Sequence, residues 1–288
     1  MKGPSPPQRP SASAPDRPPY RLTARPPIFP AQLNPGEPVK IAVCIKRVPD
    51  MDGRFAIAAD GKSLDAAGLK FDISDFDGYA VEVALQLNEK QGPGETVVIS
   101  LGPDGVAETL RKALGMGVDR AIHLQAAEVP FDGSAIASAL AAELKEGAYD
   151  LILFGRMATD SGNQSVAPMT AQMLGLACVT AISKLEIAGG KGVAERQLEG
   201  ASETVEFPLP AVISIDEGVA RPRLPSLKGI MAAKKKPLDV RPAQLGVARL
   251  TVTRIELPAD RPPGRIVGEG ADAVAELVRL LHEEAKVL

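Results

Sequence analysis

The stretch from Asp150 to Leu176 constrains the fold more than any other part of the chain. Leu151-Ile-Leu-Phe154 is an unbroken apolar run. A strand with one wet face would alternate, so this one is expected to be buried on both faces, as in a parallel sheet. Gly155 ends it, and Thr159 to Ser165 is small and polar. Pro168 suits an early helical turn, Met169, Met173 and Leu174 recur at helical spacing, and Gly175 closes the helix. Strand, loop and helix in this order place the loop at the carboxyl end of a parallel strand, where such sheets bind ligands. The helix N-terminus adds about half a positive charge and unpaired N–H groups, suited to a phosphate. An ordinary polar connection would have the same composition, so the loop alone does not decide between the two.

The same rhythm extends in both directions. Strands are expected at Val39 to Ile45, Thr96 to Leu101, around His123, and at Ala177 to Ile182. Helices are expected from a capping-type Ser74-x-x-Asp77 with Phe76, Ala80, Val83, Ala84 and Leu87 inward, at Thr109 to Leu114, and from Asp132 with Ile136, Ala139, Leu140 and Leu144 inward. Phe55 to Leu64 reads as a hairpin around Asp60-Gly61. Strand–helix alternation of this kind predicts a doubly wound α/β fold with a mostly parallel sheet. Leu185 to Ile187, Val193 to Leu198, Thr204 to Phe207 and Ala211 to Ile215 are short β runs, read as antiparallel additions. Asp272 opens a last helix with Val274, Leu277, Val278, Leu281 and Ala285 apolar. It lies beyond a Pro-rich stretch and is expected to pack outside the main domain.

These patterns divide the chain into residues 1–37, a nucleotide-binding domain over 38–220, a basic segment over 221–237, and an extended arm over 238–288. Residues 1–37 hold eleven prolines and five cations against two acids, a composition that builds no core and carries no secretory signal.

Composition excludes several functions. A net charge of −3, 3% aromatic residues and no Trp argue against nucleic acid. No apolar run is long enough to span a membrane. Cys44 and Cys178 have neither metal nor redox spacing, and both are expected to be buried free thiols, which suits a reducing, cytoplasmic setting. His123 reads as a packing residue. The glycine-rich dinucleotide fingerprint, the P-loop, the nucleophile elbow and the Ser-Gly-Gly-x-Asp-Ser loop of ATP pyrophosphatases are all absent. A nucleotide site is plausible on this reading; machinery for activating a phosphate is not visible. Between Arg221 and Lys236, Leu224, Leu227, Ile230 and Met231 sit among cations, the arrangement of a transient docking patch, although a solvated surface would also account for it.

Taken together, Lys40-Ile-Ala-Val-Cys-Ile-Lys-Arg-Val-Pro-Asp50, Tyr79-Ala-Val-Glu-Val-Ala-Leu85, Glu108 to Leu124, Asp150 to Gly175, Arg196-Gln-Leu-Glu-Gly200, Leu209-Pro-Ala-Val-Ile-Ser214 and Leu227 to Lys236 resemble the β subunit of electron transfer flavoprotein, from about Val39 to the C-terminus. The resemblance implies a Rossmann-like domain and an electron carrier rather than an enzyme. It implies a heterodimer with an α subunit that holds most of an FAD, and a structural AMP in this subunit. Electrons would pass from acyl-CoA or related dehydrogenases to a quinone-linked oxidoreductase. The AMP site falls on Ala42, Lys46, Ser74, Asp160, Ser161, Gly162, Asn163, Gln164, Ser165 and Val166. The docking patch falls on Leu227 as anchor, with Ile230, Met231, Arg223, Lys234, Lys235 and Lys236. Two departures stand out: Ser74-Asp75-Phe76 replaces the family's frequent Asn-Pro-Phe, and Asn163-Gln164 comes one position early in the phosphate loop. Bifurcating members of the family hold a second FAD where others hold AMP. A stand-alone adenine-nucleotide module is the rival from another functional class.

Overall fold

A computed structural model describes residues 39–92, 94–259 and 263–288. They form two compact units, residues 39–53 with 69–251, and residues 54–68 with 252–288.

The first unit holds a nine-stranded sheet. Its strands in chain order are β1 (Lys40–Cys44), β4 (Glu95–Gly102), β5 (Arg120–Gln125), β6 (Leu151–Gly155), β7 (Ala177–Ala188), β8 (Lys191–Leu198), β9 (Ala201–Pro208), β10 (Ala211–Ile215) and β11 (Leu238–Pro242), and a separate pair is formed by β2 (Arg47–Pro49) and β3 (Phe71–Ile73). The order across the large sheet is β11-β5-β4-β1-β6-β10-β7-β8-β9. Every pairing from β11 to β7 is parallel, and β7–β8 and β8–β9 are antiparallel. The Gly189-Gly190 turn between β7 and β8 has φ of 56° and 75°, the double positive that a two-residue hairpin of matching twist requires.

Helices cover both faces, as the unbroken apolar runs predict. Ile41, Val43, Leu151 and Leu153 point into a core shared with α1 (Asp75–Gln91) and α2 (Val106–Met116). Ala42, Cys44, Ile152 and Phe154 point into a second core under α3 (Gly133–Gly147) and α4 (Val166–Leu174). Each fully buried Leu or Ile contributes roughly 1.5–3 kcal/mol, and β1, β4, β6 and β10 are buried along nearly their whole length.

Several expectations need correction. Ala211 to Ile215 is no antiparallel addition: β10 lies parallel between β6 and β7, with all five residues buried. The β8–β9 hairpin separates it in sequence from the strand beside it. Leu185 to Ile187 is the second half of β7. Met169 and Met173 are exposed, and only Leu174 of that trio reaches the core. Cys44 is buried, but Cys178, the second residue of the partly buried β7, is exposed. Ser74 occupies the N-cap position of α1 without a side-chain cap, and Asp77 turns to the sheet instead. Residues 238–251, expected in the arm, belong to the first unit, where β11 pairs with β5. His123 packs as expected, 2% exposed, with Nε2 at 2.9 Å from the Gly102 carbonyl.

In the second unit an isolated bridge joins Ile57 to Leu64 around Asp60-Gly61, as the hairpin reading predicts. The Asp60 carboxylate accepts from the amides of Lys62 and Ser63, and the Ile255 amide donates to the Gly61 carbonyl. A single 3-10 turn, Ala271–Ala273, leads into α6 (Val274–Glu283), whose Val274, Leu277 and Val278 remain exposed. The Pro-rich residues 1–37 lie outside the described residues.

Candidate functional site

The strand order reverses direction at β1: the chain steps to β4 on one side and to β6 on the other. Helices that follow neighbouring strands leave on opposite faces there, and a crevice opens above the carboxyl ends. A cleft of about 880 Å³, counted to its open mouth, lies at this point. Its floor is Cys44, Ile45 and Lys46 from the end of β1, and Phe154, Gly155 and Arg156 from the end of β6. One wall is apolar, made of Leu101, Val129, Phe131, Ile136 and Leu140. The other is the β6–α4 loop with the first residues of α4. An apolar body with a few polar groups is the usual lining of a small-molecule site.

The polar end is the N-terminus of α4. Ser165 sits at its N-cap with no side-chain capping bond, so its hydroxyl is not spent on the helix. The amides of the first turn have no intrahelical acceptor. Ser161, Asn163 and Gln164 line the same end. Gln164 holds φ of 51°, a left-handed conformation uncommon for a non-glycine residue. Nearby, α3 starts at Asp132, whose carboxylate accepts from Ser134, Arg249 and Leu250 amides and is held down at about 2 by those bonds.

Charges around the cleft are paired within the chain. Lys46 Nζ lies 2.7 Å from an Asp160 carboxylate oxygen, and Arg156 Nη1 donates to Asp216 at 2.8 Å. Asp77, 6% exposed, accepts from the Lys46 amide at 2.7 Å and the Gly155 amide at 3.0 Å. Burial pushes its carboxyl up to about 7, although those two amides and the Lys46 charge pull the other way. Burial likewise pushes the Cys44 thiol up. Among the described residues, no group of three or more His, Cys, Asp or Glu is placed to hold a metal.

Of the expected nucleotide contacts, Lys46, Ser161, Asn163, Gln164, Ser165 and Val166 line the cleft together. Asp160 reaches it through the ion pair with Lys46, and Gly162 supplies a positive-φ turn at the loop's exposed tip. Ala42 does not line it: the residue is fully buried in β1, beneath the floor. Ser74 lies behind the β6–α4 loop, its hydroxyl donating to the Met157 carbonyl at 3.4 Å and accepting from the Thr159 amide at 3.2 Å. The apolar wall was missed. Val129, Pro130 and Phe131 precede the Asp132 cap, and a strand–helix loop next to the switch point is the signal that could have found them. Asp77 was noticed only as a helix cap.

The basic segment folds as a short strap over α2. Here α5 (Leu227–Ala233) starts at Ser226, whose hydroxyl accepts from the Gly229 amide. Gly229 packs so closely on α2 that an added Cβ would stand 2.3 Å from the Gly115 carbonyl oxygen. Arg111 donates to the Ala233 and Lys236 carbonyls. Leu227 is 84% exposed, Met231 71%, and Ile230, Lys234 and Lys235 are open to solvent. Two of the expected docking cations are engaged elsewhere. Arg223 pairs with Glu82 and Glu89 of α1, and the Lys236 ammonium donates to the carbonyls of Leu114, Gly117 and Val118 at the end of α2.

The electron transfer flavoprotein domain family matches residues 63–245, well over half of the chain. Over 250 residues the chain is 37% identical to the electron transfer flavoprotein subunit beta of Syntrophomonas wolfei, covering 86% of this chain and 98% of that protein. The Bacillus subtilis subunit is also 37% identical, over 87% of this chain and the whole of its own length. The human subunit is 35% identical over 83% and 96% respectively. Together with an α/β sheet that opens a cleft at its switch point, these matches show that the chain belongs to the electron transfer flavoprotein family, among its β subunits.

Proposed function

We propose that this chain is the β subunit of a heterodimeric electron transfer flavoprotein, with a structural AMP in the cleft between β1 and β6. It carries electrons from acyl-CoA or related dehydrogenases to a quinone-linked oxidoreductase in the cytoplasm. The observation that carries the nucleotide reading is the open α4 N-terminus: an uncommitted Ser165 hydroxyl and first-turn amides at the polar end of an otherwise apolar cleft. These donors suit one phosphate, and the apolar wall at Val129, Phe131 and Ile136 suits a base. Lys46 and Arg156 are already neutralised by Asp160 and Asp216, which favours a monophosphate over a pyrophosphate.

FAD, shared with the α subunit, supplies the redox chemistry when bound. The residues of this chain hold the nucleotide end, present a docking surface, and offer α6 to the partner. The exposed Val274, Leu277 and Val278 support that last role. Leu227 anchors the donor dehydrogenase, with Ile230 and Met231 beside it and Lys234 and Lys235 setting the encounter rate.

Co-purification with the α subunit, followed by mass analysis of the released nucleotides, tests the reading. One FAD and one AMP per heterodimer is expected. Two FAD and no AMP would establish the bifurcating alternative. A stable, flavin-free monomer indifferent to any α subunit would overturn the assignment and leave the stand-alone module.

A further inference from the structure

Asp77 is a buried carboxylate that the docking and nucleotide assignments do not use. It comes from the first turn of α1, yet its two oxygens accept from two different strand ends, Oδ2 from the Lys46 amide after β1 and Oδ1 from the Gly155 amide at the end of β6. Those strands flank the switch point, and all three residues line the cleft. The contact is close: a Cβ on Gly155 would stand 2.4 Å from Asp77 Oδ1 and 2.6 Å from its amide nitrogen. Only glycine at 155 lets the helix approach near enough for the carboxylate to reach across.

We propose that Asp77 is the positioning residue of the nucleotide cleft: its carboxylate ties the ends of β1 and β6 together, and so sets where Lys46 and the β6–α4 loop stand toward the ligand. The inference rests on the nucleotide reading given above. An ionised carboxylate offers lone pairs to both amides. A protonated one carries a hydroxyl that accepts less well and must itself find an acceptor. The acid form therefore loosens one of the two strand ends.

The titratable groups that act on Asp77 are Cys44 from β1, Lys46 just after it, and Asp160 from the chain after β6. Lys46 favours the charge and Asp160 opposes it, while burial opposes it most. With its carboxyl pushed up to about 7, Asp77 ionises less readily folded than unfolded. The native state then binds more protons between the ordinary carboxylate range and about 7, so stability falls as pH rises through that window. A buried carboxyl pushed up to about 7 and tied to two strand ends fits a role at a functional site.

The test uses the full-length chain purified with its partner subunit, dialysed free of exchangeable nucleotide, with AMP as the probe. Affinity is read from about pH 6 to about pH 8.5, spanning the second phosphate pKa near 6. Wild-type affinity is expected to fall toward tenfold per unit below about pH 7. Asp77→Asn, which pairs with one amide and opposes the other, is expected to bind AMP at least about tenfold more weakly at the alkaline end. It should also lose the dependence near 7, keeping only that of the phosphate. A flat wild-type profile above about pH 6.5 would overturn the proposal even if the variant failed to fold, and so would a variant with the wild-type affinity and profile. A wild-type complex that binds neither AMP nor FAD at any pH would instead overturn the nucleotide reading, and the inference with it.

Discussion

Arg223→Ala tests whether the basic segment over 221–237 is held by charge. Arg223 donates Nε and Nη2 to the Glu82 carboxylate at 2.8 and 2.9 Å, and Nη1 to Glu89 at 2.6 Å. The Glu82 side chain is 4% exposed, whereas that of Glu89 is 59% exposed. Removing one partner of a fully buried pair costs about 3–5 kcal/mol, because the other charge is left behind. Here the cost is smaller. Arg223 is itself about a third exposed, so water enters the vacated space. Glu82 also keeps the Gln86 amide at 2.8 Å and the backbone amide of residue 223 at 3.1 Å. An estimate of about 2 kcal/mol follows, or roughly 4–8 °C in melting temperature for a unit of this size. Burial pushes the Glu82 carboxyl up, but the bonds from Arg223 and Gln86 outweigh it and the net direction is down. A depressed carboxyl stabilises above its unfolded value, near pH 4.3, and loses that contribution as pH falls through the folded value. Thermal unfolding followed by circular dichroism should therefore show the widest gap between wild type and variant at neutral pH, closing in acid. A melting temperature unchanged within about 1 °C at neutral pH, or no coupling in a double-mutant cycle with Glu82→Gln, would refute the reasoning.

Leu227→Ala should slow electron transfer from the donor dehydrogenase by roughly ten- to a hundred-fold while leaving the melting temperature and flavin content unchanged, since the side chain is 84% exposed; loss of flavin would make it an interface residue instead. Lys234→Ala with Lys235→Ala should flatten the salt dependence of that rate, whereas Lys236→Ala should lower stability in urea, because its ammonium satisfies three carbonyls at the end of α2. Gly229→Val should cost about 1–3 kcal/mol through overpacking against the Gly115 carbonyl, and an unchanged urea midpoint would contradict the close approach. A thiol reagent on the native protein should modify exposed Cys178 and spare buried Cys44; equal labelling of both would contradict the packing of β1.

Local pattern decided much of this protein. The apolar runs at β1 and β6 have no polar alternation, so they had to be covered on both sides, and that alone implies parallel strands with helices on two faces. The loop from Thr159 to Ser165 follows such a strand and precedes a helix, which places it at the ligand-binding edge before any coordinate is known. The exposure of Leu227 was legible for the same kind of reason: an apolar side chain among cations and prolines has no core within reach along its own segment.

Contacts between segments distant in sequence were beyond such reading. β10 has the five buried residues of an interior parallel strand, but its position depends on where the β8–β9 hairpin swings, which no local period encodes. Arg223 and Lys236 look like free surface cations because Glu82 lies 141 residues from the one, and the α2 carbonyls 118 to 122 residues from the other. Asp77 resembles a helix cap at three-residue spacing, and only the meeting of β1 with β6 offers it two amides from different strands. Hydrophobic period is set by a residue's own element, so sequence reveals which elements form and which faces are buried. A charged side chain takes whatever partner the fold brings within about 3 Å, and that choice belongs to the tertiary structure.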